Sequence, residues 1–368
     1  MSAENATALK ETQNSKQAEG SSDSDKAAIE AVIKESGGFL YKSAYVQGFL
    51  RNRHIVVIGD SIQRDVYKDL VCLLQCDEQL TDKALKQKAE QSFMNDRLLY
   101  SSELSNRSEF KEIREYQSED GYHLVQYYFV TRAHNQMMEM VLEEFRREPP
   151  DVVIMNSCLW DVTRYGPNSQ KDYYSKVAKL LKELKLILPP KSIFLWTTTL
   201  PVATDTKAAF LRHEAYEELK WNRNHPDLRV QILTENHTVS QLVLQGGFDV
   251  LDLHHYVRAM QKHRQPDGVH WDAFVHRHIT DLIVTFLHEA WVVSLPLEVV
   301  ALFKAVGWKP ETLLHIHREK GLPRFAKKLT EAKRKQKKRN NESLLDSTVS
   351  SVAGTPMPPT PGTSIEIA

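Results

Sequence analysis

Cysteine is scarce in this chain: 368 residues hold three, Cys72, Cys76 and Cys158. That is too few, and an odd number, for a disulfide-built extracellular scaffold. All three read as reduced core residues of a cytosolic or nuclear protein. Charge of one sign is also missing, since 48 Lys and Arg balance 48 Asp and Glu. Nothing global therefore points to nucleic acid or an anionic membrane. Long apolar runs are absent too. The most apolar late stretch, WVVSLPLEVVALFKAVGW, is interrupted by Pro296, Glu298 and Lys304, which suits a packed helix and not a membrane span. The opening MSAENATALKETQNSKQAEGSSDSDK lacks the basic start and apolar core of a signal peptide. No internal repeat is visible.

What is present is ordinary for a soluble globular protein, 41% hydrophobic and 26% charged. Residues 1–26 are polar and Ser-rich, the composition of a disordered tail. Residues 27–322 read as one domain, and 323–368 as a second disordered tail, first basic and then rich in Ser, Thr and Pro. The basic run holds nine cations from Arg324 to Arg339. A nuclear-import signal and a solvated tail both fit it. No aromatic follows Phe325 in the run, which argues against stacking on nucleic-acid bases. The PMPPTP stretch has the form of a polyproline ligand, so protein partners are expected through this tail.

Short apolar runs recur along the domain: IVVI from Ile55, LVQYYFV from Leu124, VVIM from Val152, SIFLW from Ser192 and FDVLDL from Phe248. Continuous runs of this length fit strands buried on both faces of a mainly parallel sheet. Helical spacing separates them, as in Ile62, Val66, Leu70, Leu73 and Leu74. Strand and helix in alternation predict a doubly wound α/β fold. Residues 79–121 break the pattern. They are charged, without a long apolar run, and read as an insertion or hairpin with a turn at Ser118 to Gly121.

The first strand ends abruptly on Gly59, Asp60 and Ser61, and a helical pattern begins at once. Asp and Ser are favoured helix N-caps, so this corner is explained by punctuation alone. It is equally explained by chemistry. Ligands of open parallel sheets bind beyond the carboxyl ends of strands. A serine there has its hydroxyl exposed and backbone amides pointing where an oxyanion would form. Two further features bear on the choice. PDGVHWD places Asp267 and His270 three apart in one loop before a helix, as a base and its orienting carboxylate would need to be. VVIMNSCLWDV ends a buried strand on Asn156, whose side-chain amide suits an oxyanion donor, although asparagine often ends strands for local reasons.

GDSIQRDVYKDL, IMNSCLWDVTRYG and the DGVHW box together resemble the PC-esterase branch of the SGNH (GDSL-type) hydrolases, over roughly residues 50 to 295. The resemblance implies a three-layer α/β/α fold and an acyl-ester hydrolase or acyltransferase working without metal or cofactor on a small acyl ester or an acylated biomolecule. It makes Ser61 the nucleophile, His270 the general base, Asp267 its orienter and Asn156 an oxyanion donor. One departure accompanies it. The general pattern carries a glycine between nucleophile and asparagine as a second oxyanion donor, and here that interval holds only Gly121. The alternative is therefore a weak or inactive esterase fold that acts as a binding module through its tails.

Arg64, one turn beyond Ser61, is placed to bind an acidic substrate group or to pair with a carboxylate, and Trp160 to line the pocket wall or pack a loop. His254, beside Asp252, is a rival base. The histidines from His254 to His278 match no compact zinc spacing, so no metal is expected.

Overall fold

The computed structural model describes residues 39–102, 110–165, 169–204, 206, 228–296 and 299–300. The N-terminal tail, residues 301–308 of the apolar stretch that begins at Trp291, and the basic and Pro-rich segment lie outside them; residues 291–296 of that stretch, expected as a packed helix, form a turn and irregular chain after the helix that ends at Ala290. Seven strands form one sheet in the order β2-β3-β4-β1-β5-β6-β7. They are β1 (Arg53–Gly59), β2 (Arg97–Ser101), β3 (Glu112–Gln117), β4 (His123–Phe129), β5 (Val152–Met155), β6 (Ile193–Thr197) and β7 (Asp249–Leu251). β4, β1, β5, β6 and β7 run parallel, while β2 and β3 add antiparallel pairings at one edge.

The main helices are α1 (Ser43–Phe49), α2 (Ser61–Leu73), α3 (Asp82–Lys86), α4 (Gln136–Arg147), α5 (Leu159–Thr163), α6 (Ser169–Ile187), α7 (Leu228–Gln245), α8 (Leu253–Val257) and α9 (Ala273–Ala290). Alternate residues of each central strand face opposite cores, as the two-residue period of a strand requires. Ile55 and Val57 pack with Val66 and Leu70 of α2 and with Ile279 and Leu282 of α9. Val56 and Ile58 pack with Val141 of α4, Val177 of α6 and Val239 of α7. Helices thus cover both faces, giving a three-layer α/β/α fold. Among the described residues no helix is long and apolar enough to cross a membrane.

The charged segment after Gln79 is not an appendage. Its strand β3 and the turn at Ser118 lead directly into β4, so the hairpin is built into the main sheet. The charge is explained by α2, whose polar face is as buried as its apolar one. Lys68 is fully buried and donates to the Ala84 and Gln87 carbonyls while pairing with Glu90 at 2.6 Å. Beneath it, Arg114 grips Asp96 with two hydrogen bonds of 2.7 and 2.9 Å and reaches Glu112 at 2.9 Å, all three side chains excluded from water. Buried charges of this kind persist only when paired, and residues 82–114 supply the partners.

β1 has β4 on one side and β5 on the other. The chain therefore crosses over β1 between them, and the crevice of a doubly wound sheet opens at the carboxyl end of such a strand. Ser61 follows that end immediately.

Candidate active site

The corner after β1 is shaped by close approach. A Cβ on Gly59 would sit 2.8 Å from the Asn156 carbonyl oxygen and closer still to the Gln63 side chain. No other residue fits without displacing the neighbouring strand end. Asp60 then caps α2, its carboxylate accepting from the Ile62 amide at 3.0 Å. Punctuation and candidate nucleophile thus fall on two residues: Asp60 caps, and Ser61 opens the helix and lines the cleft. Its own amide belongs to the first turn, which has no intrahelical acceptor.

The second part of the site is a four-residue turn before α9. Asp267 Oδ1 accepts from the Val269 and His270 amides at 2.9 and 3.0 Å, and Gly268 takes a φ of +83°, a conformation glycine adopts freely. The loop is braced outside by Ala203 donating to the Gly268 carbonyl at 2.7 Å and by Gln265 donating to that of His270 at 2.8 Å. Asp267 Oδ2 lies 2.5 Å from His270 Nδ1, and His270 Nε2 lies 2.7 Å from Ser61 Oγ. Three of the residues read from the sequence therefore meet in one hydrogen-bonded chain.

The electrostatics agree with that order. Burial alone would raise the Asp267 pKa, but the His270 hydrogen bond and charge and two backbone amides outweigh it, holding the carboxyl well below its usual range. Burial opposes charge on His270, yet the bond to Asp267 and the charges of Asp65, Asp267 and Asp60 carry its pKa above the ordinary imidazole value.

A cleft of about 280 Å³ opens over Ser61 and His270, with Arg64, Asp65, Lys88 and Trp160 in its walls. Arg64 is 6% exposed, its Nη1 is 3.6 Å from Glu112, and its Nε has no hydrogen-bond acceptor. Asp65, one turn beyond Ser61, is buried with one oxygen unbonded, and burial pushes its carboxyl up to about 6.

Other predicted residues lie elsewhere. Asn156 spends its side-chain amide on the Thr197 carbonyl at 2.7 Å and the Thr199 hydroxyl at 3.2 Å, tying the ends of β5 and β6 together beside a separate small cavity. Gly121 precedes β4, whose far end, Phe129, is the one level with Gly59, so this glycine sits at the opposite edge of the sheet. His254 Nδ1 is 2.9 Å from the Thr199 carbonyl, outside the Ser61 cleft. Among the described residues no three His, Cys, Asp or Glu side chains converge as a metal site would require.

Sequence reading missed Asp65, Lys88, Phe110 and Phe129. Asp65 was within reach, because a residue four beyond Ser61 shares its helix face. Lys88 and Phe110 were not, since they come from the segment without periodicity.

No protein-family model matches the chain. It is 42% identical over 276 residues to mouse PC-esterase domain-containing protein 1B, covering 72% of this chain and 60% of that protein. It is 40% identical over 260 residues to human PC-esterase domain-containing protein 1A, covering 70% and 56%. The chain thus spans somewhat under two thirds of these relatives' length. Among solved structures, an acetylxylan esterase from Geobacillus stearothermophilus aligns at 11% identity with a TM-score of 0.36, covering 71% of this chain and 96% of that one. On its extended identity with such relatives, the chain belongs to the family of PC-esterase domain-containing proteins.

Proposed function

We propose that this protein is an acyl-ester hydrolase that works through an acyl-serine intermediate. The observation that carries the reading is the unbroken chain Ser61 Oγ, His270 Nε2, His270 Nδ1, Asp267 Oδ2, with links of 2.7 and 2.5 Å, at the foot of a cleft. Ser61 Oγ attacks the ester carbonyl while His270 takes its proton, and Asp267 holds the imidazole and balances its charge. The tetrahedral intermediate collapses, the alcohol leaves with the proton from His270, and the acyl group stays on Ser61. Water, or an acceptor alcohol in a transferase variant of the reaction, then gives its proton to His270 and releases the acyl group.

The oxyanion is held by the Ser61 amide at the positive end of α2 and by Arg64. Arg64 takes the part the sequence left without a glycine. Its guanidinium lines the same cleft, nine-tenths buried, with donor capacity to spare. Arg64→Met is expected to lower kcat by about a hundred- to thousandfold, the usual effect of losing one oxyanion donor. Retention of full kcat would remove Arg64 from this role. Intact-mass analysis during turnover of 4-nitrophenyl acetate tests the mechanism directly, with one acetyl group expected on Ser61.

The reaction needs neutral His270. Because its folded pKa is raised, the rate of Ser61 acylation is expected to climb with pH through an inflection above 6.5 and then level. Asp65→Asn removes one of the charges that raise it, so the inflection moves to lower pH. A stopped-flow pH profile of both proteins checks the sign.

A further inference from the structure

The deep walls of the Ser61 cleft have no part in the steps above. They are lined by Leu85 of α3, Phe110 ahead of β3, Phe129 at the end of β4, Trp160 of α5 and Trp271 before α9, all five of them buried. Phe110 packs edge-on against Phe129 with ring centroids 5.0 Å apart. Phe129 is level with Gly59, two residues before Ser61, so this aromatic pair stands on the β4 side of Ser61.

The polar groups are arranged around these walls. At the mouth, Gln265 donates to Asp82 at 2.9 Å and accepts from Lys86 at 3.2 Å, and both charged residues are exposed. Lys88 is half-buried, its ammonium 5.2 Å from the Phe110 ring centre. Arg64 and Asp65 stand on α2 close behind Ser61. A polar mouth over a mostly apolar interior, with a few polar groups at one place, is the build of a pocket for a largely carbon ligand. At the ~30 Å³ that one water occupies in the liquid, the cleft volume of about 280 Å³ holds about nine non-hydrogen atoms.

We propose that Phe110 and Phe129 form an acyl pocket, and that the substrate's acyl group is apolar and larger than acetyl. The inference rests on the hydrolase reading for the ester and adds the nature of its acid. His270 returns its proton to the leaving alcohol, which places the alcohol beside the 267–270 turn and leaves the β4 side of Ser61 to the acyl chain. An acetyl group fits but leaves the two rings in contact with water. Each further methylene removes apolar surface of chain and ring from water together, so binding improves with chain length until the pocket is full.

The test has a binding arm and a turnover arm. In the Ser61→Ala protein, fluorescence of Trp160 and Trp271, both in the cleft wall, reports titrations with methyl acetate, methyl butanoate and methyl hexanoate. Methyl hexanoate is expected to bind at least about tenfold more tightly than methyl acetate, and Phe110→Ala in the same background to lose most of that advantage. In wild type, kcat/KM for methyl hexanoate is expected to exceed that for its isomer pentyl acetate by about tenfold or more. The two esters have the same atoms and differ in which side of the carbonyl carries the chain. This comparison needs no variant, so it decides the matter even if Phe110→Ala does not fold. Equal binding of acetate and hexanoate, an advantage untouched by Phe110→Ala, or pentyl acetate as the equal or better substrate overturns the proposal while leaving the hydrolase reading standing. Turnover of neither ester overturns the hydrolase reading, and the acyl assignment with it.

Discussion

Ser61→Ala and His270→Ala are each expected to lower ester turnover by about 10⁴-fold or more, the scale seen when one member of a nucleophile–base pair is removed. The check is a fluorophosphonate adduct by intact mass. Wild type gains one adduct, and the two variants gain none within the same time. A sharper version is Asp267→Asn. An amide oxygen at that position still accepts from the Val269 and His270 backbone, so the loop is kept, but His270 loses the carboxylate that fixes its tautomer. A fall of several powers of ten with an unchanged melting temperature would separate orientation of the imidazole from stability of the turn. If Ser61→Ala reacts with the fluorophosphonate as fast as wild type, the nucleophile is some other residue.

Arg114→Leu has the largest expected effect on stability. It strands Asp96 and Glu112, each buried and each hydrogen-bonded to the lost guanidinium. Breaking one side of a buried ion network typically costs about 3–5 kcal/mol. In a domain of this size the melting temperature should fall on the order of 10 °C. Lys176→Ala supplies the contrast. Its ion pair with Asp172 is solvent-exposed on the carboxylate side, and its loss should lie within about 0.5 kcal/mol of neutral. Thermal denaturation of both measures the difference, and an Arg114→Leu protein that melts like wild type would show that the network contributes little. Since the same network carries Glu112 and the backbone around Lys88, activity is expected to fall with stability.

The strands and the corner at Gly59 to Ser61 were legible in the sequence because both are local. Four apolar residues before a glycine mark a buried strand end, and Asp and Ser before a helical pattern mark its cap. The Asp267 to His270 turn is equally local, held by hydrogen bonds between neighbours. What could not be read was every feature made by residues far apart acting on charge. Residues 79–121 looked like an excursion because their charged side chains have no apolar period. They are charged because α2 buries Lys68 and Arg64, which Glu90 and Glu112 pair, whereas its buried Asp69 is paired by Arg277 of α9. Asn156 was readable as a strand end, but the direction of its amide depends on Thr197 and Thr199, whose placement next to it only the sheet order determines. Arg64 offered two roles by sequence, binding an acidic substrate group or pairing with a carboxylate, and the second is present in its 3.6 Å approach to Glu112.

The separation of the two parts of the site along the chain also sets a folding order. The turn carrying Asp267 and His270 closes over three residues, an event of local contacts that is complete on the timescale of loop closure. The contact from His270 to Ser61 spans 209 residues and waits until β1, α2 and α9 have docked. A nascent or partly unfolded chain can therefore hold its base and carboxylate in register while its serine stays inert. On the hydrolase reading, reactivity at Ser61 would report topological completion, and a chain arrested before α9 docks would be harmless to esters around it.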